Sequence, residues 1–156
     1  MGGKILVALD DSENSMRAVE YVARNLSSDK EITLFSVLSD TAALCEMNSP
    51  ELTPHFLSQQ HIFCSLEAKK KDLLHEAQKK AKDILEKAGF GQDKITLKIE
   101  TKDKGVARDI VNKAKSGYDT VVLGRRGISS IQEVLLGSIS QKVLHLSKDF
   151  TLILVN

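Results

Sequence analysis

The sequence predicts an α/β fold built on a parallel sheet, and three features carry that prediction. Short apolar runs of strand length alternate with longer stretches whose apolar residues recur every three or four positions. The runs KILVAL and DTVVLG are apolar without alternation, as expected of strands covered by helices on both faces. Gly89 and Gly117 stand where two helical stretches end, the usual place for a helix-terminating glycine.

The elements follow in order. Lys4 to Leu9 is the first buried strand. DDSENS supplies helix-capping residues, and Met16, Val19, Val22, Ala23 and Leu26 then form one helix stripe. Glu31 to Leu38 is β-rich. Leu66, Leu73, Leu74, Ala77, Ala81, Ile84, Leu85 and Ala88 mark a long amphipathic helix. Its lysines, Lys69 to Lys71 and Lys79 to Lys80, alternate with acids and read as a solvated face. Lys94 to Glu100 alternates like a half-exposed strand. Val106, Ala107, Ile110, Val111 and Ala114 stripe a further helix, Asp119 to Gly124 is a buried strand, and Thr151 to Asn156 is the last strand. Five strands with intervening helices imply parallel pairing through crossovers. Residues 39–65 break the rhythm. They hold both prolines, both cysteines, His55 and His61, and read as a flexible insertion or flap within one domain spanning 1–156.

Composition excludes several classes. A net charge of +1, with 42% apolar and 28% charged residues, gives no field that would collect nucleic acid or a membrane surface. There is no tryptophan to stack on bases. No run reaches the ~20 apolar residues of a membrane span. Two cysteines are too few for a disulfide framework, so a cytoplasmic location is expected. Cys45 and Cys64 could form a redox pair, but buried structural cysteine is the commoner case. His61 and Cys64, three residues apart, lack further ligands at zinc spacing, and no metal site is assigned. His145 suits the C-terminal end of the last helix. No Ser–His–Asp or Cys–His set is present, and no base is evident for activating water, so at most weak catalysis is expected.

The stretch GRRGISSIQEVLLGS, Gly124 to Ser138, carries the functional signal. Gly124 ends a buried strand, and ligands of open α/β sheets bind beyond the carboxyl ends of strands. Ser138 with Gln141 has the spacing of a capping box, which places a helix start there. A helix N-terminus attracts anions, glycines admit close backbone approach, and arginine matches phosphate. Together they describe a phosphate cradle. Successive side chains past the strand end diverge, so one guanidinium faces the ligand, and Arg126, beside Gly127, is favoured over a solvated Arg125. The glycines also suit plain turns, and Ser138 also suits a cap that binds nothing; both readings stand at this point. Neither the P-loop nor the G-x-G-x-x-G pattern occurs.

Gly124, Gly127, Gly137 and Ser138 follow the pattern G, two residues, G, nine residues, G and Ser or Thr. In this, and in ILVALDDSENSMRAVEYV, LFSVLSD and DTVVLGRRG, the chain resembles the nucleotide-binding universal stress proteins over nearly its whole length. The resemblance implies a five-stranded parallel sheet in order 3-2-1-4-5 with helices on both faces, Rossmann-like and similar to the adenine nucleotide α-hydrolases. It places a nucleotide between the ends of the first and fourth strands. Asp10 would lie near ribose and adenine, Ala8 beneath the nucleotide, and Ser12 in the acidic turn. The backbone of Val37 would meet adenine. Leu123 and Gly124 would flank the ribose and first phosphates. Gly127, Gly137, Ser138, Ile139 and Ser140 would hold the phosphate chain. The implied ligand is ATP or another adenine nucleotide, with Mg2+ as a candidate companion. The implied role is a nucleotide-dependent stress-response module acting on a regulatory protein partner. A slow ATPase and a structural dimer that binds no nucleotide are the alternatives. A homodimer through the last strand is expected. Arg125 stands where many relatives have a small residue, and Asp149-Phe150 replaces a proline that often precedes that strand.

Overall fold

The computed structural model describes residues 3–47, 51, 53–125 and 136–156. In chain order these form β1 (Lys4–Ala8), α1 (Glu13–Asn25), β2 (Glu31–Leu38), α2 (Ala42–Cys45) and α3 (Pro54–Lys87). Then follow β3 (Ile95–Thr101), α4 (Val106–Ala114), β4 (Thr120–Gly124), α5 (Ser138–Leu146) and β5 (Thr151–Val155). The strands form one sheet in the order β3-β2-β1-β4-β5, and every neighbouring pair is parallel. This is the predicted fold class and strand order.

Period-two alternation explains why the central strands are apolar throughout. Ile5, Val7 and Leu9 point to one face, where they meet Ala18, Val19 and Val22 of α1 and Ala81 and Leu85 of α3. Leu6 and Ala8 point to the other, against Ala107, Ile110 and Val111 of α4 and Val143 of α5. β1 is therefore buried from both sides, and the chain turns from β1 to β2 in one direction and returns to β4 in the other. The strand order reverses between β1 and β4.

The structure departs from the sequence reading chiefly within residues 39–65, where it adds α2 and the start of α3. The long helix begins at Pro54, so part of the supposed insertion is helix. Thr53 is its N-cap, accepting a hydrogen bond from the Phe56 N–H (3.2 Å), and Pro54 occupies the first turn, where a missing N–H costs nothing. Apolar periodicity could not find this start because the first half of α3 packs on no sheet: its buried residues begin at Leu74. Val37 lies within β2, in the stretch Glu31 to Leu38 read as β-rich. The far end of α3 does follow the sequence: Gly89 adopts φ +101°, a conformation that ordinary residues rarely take.

Candidate functional site

At the reversal point a cleft of about 230 Å³ opens beyond the carboxyl ends of β1 and β4. Ala8, Leu9 and Asp10 line it from the end of the central strand β1, Phe35 and Val37 from β2 on one side, and Leu123 and Gly124 from β4 on the other. Val106 and Ile110 of α4 and Ile139 and Ser140 of α5 close it. Apolar groups dominate this surface, and Asp10 is its one carboxylate among the described residues.

Asp10 is held by the start of α1. Its Oδ1 accepts hydrogen bonds from the Ser12 N–H (2.8 Å) and from Ser15 Oγ (2.6 Å), and its own N–H donates to Ser15 Oγ (2.9 Å). Ser12 is the N-cap of α1, accepting from the Ser15 N–H (3.2 Å). The Asp10 carboxylate is thereby oriented while Oδ2 keeps its accepting capacity. Ser12 lines a different surface, the groove between α1 and α3, so the structure does not bring it to the cleft.

The motif's described part is pinned at both ends. The Arg125 N–H donates to Val155 O (2.7 Å), extending the ladder between β4 and β5, and the Gly137 N–H donates to Arg125 O (2.8 Å). Ser140 Oγ donates to Gly124 O (2.8 Å), fastening the first turn of α5 onto the end of β4. Gly124 has no room for a side chain: a Cβ would lie 2.8 Å from the backbone carbon and oxygen of Asn14. Close packing of α1 thus requires this glycine, whatever the ligand. α5 starts at Ser138 as expected, but the capping box does not form. Gly137 is the N-cap, no side chain caps the helix, and Gln141 uses its N–H on Gly137 O. Among the described residues no side chain takes up the N–H groups of this first turn, which lie beside the cleft.

Of the residues singled out from sequence, Ala8, Asp10, Val37, Leu123, Gly124, Ile139 and Ser140 converge on the cleft. Gly137 and Ser138 start the adjoining helix. Arg126 and Gly127 lie outside the described residues. Arg125 is half-buried, not fully solvated, and its Nε has no hydrogen-bond partner among the described residues. Sequence reasoning missed Leu9, Ser15, Phe35, Val106 and Ile110. Val106 and Ile110 read as a core stripe; nothing in their spacing separates a core face from a cleft wall.

The cysteine expectation is corrected. Cys45 and Cys64 form a disulfide, with Cα atoms 5.8 Å apart, and both are half-exposed. Cys64 is therefore no zinc ligand, and no group of three His, Cys, Asp or Glu side chains gathers among the described residues. In the same residues no helix is long and apolar enough to cross a membrane.

Comparison with known proteins agrees with this architecture. The profile of the universal stress protein family matches residues 1–153. Universal stress protein YxiE of Bacillus subtilis is 31% identical over 150 residues, covering 94% of this chain and 95% of that protein. A universal stress protein of Mycolicibacterium smegmatis is also 31% identical, over 90% of this chain, but the match spans only 44% of that longer protein. Among solved structures, hypothetical protein MJ0577 superposes with a TM-score of 0.67 at 26% identity, covering 99% of this chain and 96% of its own. A universal stress protein in complex with cAMP superposes with a TM-score of 0.64 at 18% identity, covering 99% and 97%. At that identity the likeness concerns the fold.

Proposed function

The chain belongs to the universal stress protein family, and from that premise we propose that it binds an adenine nucleotide, ATP in the first instance, in the cleft between β1 and β4. The observation that carries this reading is the pairing of an apolar slot with an oriented carboxylate and a helix N-terminus. The cleft is smaller than the roughly 300–1,000 Å³ of pockets that swallow a drug-sized ligand. It therefore takes the flat base and sugar and leaves the phosphates outside. The free Oδ2 of Asp10 accepts from ribose hydroxyls or the adenine amine. The phosphates extend toward the start of α5, where Ser138 and Ile139 offer N–H groups beside Gly137; the sequence motif assigns Arg126 and Gly127, outside the described residues, to the same phosphates. In a protein of the same fold the bound ligand is cAMP, itself an adenine nucleotide, which supports the ligand class.

The donor set does not build a metal site. Asp10 is the lone carboxylate of the described cleft and already accepts two hydrogen bonds at Oδ1. A Mg2+ ion would arrive on the phosphate oxygens, which suits its preference for retaining water and few protein ligands. Among the described cleft residues Asp10 is equally the only candidate base, and its role in holding α1 favours binding over turnover. The protein then acts as a cytoplasmic module whose nucleotide occupancy sets its contacts with a regulatory partner.

The test is calorimetric titration of ATP, AMP and adenosine into the wild type and Asp10→Asn. Asparagine retains the Oδ1 acceptor that holds Ser12 and Ser15 but replaces Oδ2 with a donor. A hydrogen bond to a charged group contributes about 1.5–3 kcal/mol, so all three ligands should weaken by roughly ten- to a hundredfold. Unchanged affinity for adenosine would move the base and sugar out of this cleft. Product formation on the timescale of the titration would establish hydrolysis instead.

A further inference from the structure

The Cys45–Cys64 disulfide lies outside both sheet-helix cores. It joins α2, which has no buried residue, to the first half of α3, whose own buried residues begin only at Leu74. Beside it, Gln60 Nε2 donates to Leu44 O and to Met47 O (3.0 Å). Gln60 and Cys64 are four residues apart and share a stripe of α3, so α2 is fastened along one line of that helix. The helix around this line is exposed, with Ile62 53% and Leu66 56% accessible. A disulfide that secures a small core is normally buried within it; this one secures a peripheral helix and stands half in solvent, where a thiolate can reach it.

We propose that Cys45–Cys64 is a thiol–disulfide exchange site whose substrate is a small or protein-borne dithiol, and that its state decides whether α2 stays docked on α3. In the forward step a thiolate of the dithiol attacks one cysteine sulfur, forming a mixed disulfide and expelling the other cysteine as thiolate. The second thiolate of the dithiol then displaces the remaining cysteine. One S–S bond breaks in the protein and one forms in the reductant, and two electrons and two protons pass to the cysteines. With the bond open, α2 keeps, among the described residues, the Gln60 hydrogen bonds and short backbone bonds of its own, from the Cys45 N–H to Thr41 O, the Glu46 N–H to Ala42 O and the Met47 N–H to Leu44 O. A four-residue helix does not hold on such terms. The core, fastened at Leu74, Ala81 and Leu85, is untouched.

The experiment is hydrogen exchange on the air-oxidised protein, on the same protein in dithiothreitol, and on Cys45→Ser. Thiol alkylation followed by mass measurement fixes the redox state in each case. Reduction should expose two alkylatable thiols and accelerate exchange at residues 42–47 and in the first turns of α3 by about tenfold or more. Exchange in β1, β2, β4 and the second half of α3 should stay unchanged. Cys45→Ser should behave as the reduced protein and ignore dithiothreitol. Return to oxidised glutathione should restore both the bond and the protection. Equal exchange in the oxidised and reduced protein would overturn the proposal, as would acceleration spread over the whole sheet or failure of the bond to re-form.

Discussion

At the scale of single residues, Gly124 shows how one position can answer to two demands. It lines the cleft beyond β1 and β4, and it also lets α1 approach β4 so closely that a methyl group would overlap the Asn14 backbone. Backbone atoms cannot swing aside as a flexible side chain can, so Gly124→Ala should destabilise the fold by about 1–3 kcal/mol. That corresponds to roughly 2–4 °C in Tm for each kcal/mol in a chain of this size, measurable by calorimetry without ligand. An unchanged Tm would mean that α1 shifts freely. The sequence made the glycine visible but not its reason: spacing suggested phosphate approach, whereas helix packing supplies the observed constraint. Asp10 was legible for the opposite reason, since an acidic turn after a buried strand has few uses and its chemistry is local. Ser15 was not. Its hydroxyl matters only because the first turn of α1 folds it back onto Asp10.

At the scale of elements, periodicity located every strand and most helices because the sheet is covered on both faces and each helix it found buries one stripe, as α2 does not. It failed for the first half of α3, where no sheet lies beneath the helix and only Thr53 and Pro54 announce the start. It also overlooked how α3 is keyed to the sheet. Gln78, 2% exposed, donates through Nε2 to Ser36 Oγ (2.9 Å), Lys98 O (3.1 Å) and Leu34 O (3.2 Å). Ser36 Oγ in turn donates to Leu9 O (2.7 Å), one residue before Asp10. A buried polar clasp therefore runs from α3 through β2 to the edge of the cleft. Gln78→Leu keeps the bulk and deletes the donors, leaving buried acceptors without their partner. The cost should be about 1–3 kcal/mol, read as a lower urea midpoint at unchanged slope. A midpoint equal to that of the wild type would show the clasp to be energetically idle.

At the scale of the molecule, the unresolved demand is at the edge formed by β5. The strand pairs with β4 on one side only. The Thr151 N–H donates to Asp119 O, and Val155 O accepts from the Arg125 N–H, so both of these residues turn their hydrogen-bonding groups toward β4. Alternation then turns the N–H and C=O of Leu152 and Leu154 outward. Both side chains, like those of Ile153 and Val155, are only half-buried. An apolar edge without a lysine, proline or bulge invites pairing. We expect a homodimer formed along this strand, running at twice the chain mass in light scattering. Two variants separate main-chain pairing from side-chain contact. Leu154→Ala trims the side chain and keeps the outward N–H, so a dimer held by strand pairing should persist. Leu154→Pro removes that N–H at an edge position where proline is otherwise tolerated, and the dimer should dissociate by at least tenfold in Kd, about 1.4 kcal/mol. Circular dichroism must show both variants folded. A wild type that stays monomeric at high concentration would leave β5 an open edge, and equal dissociation of the two variants would assign the contact to side chains.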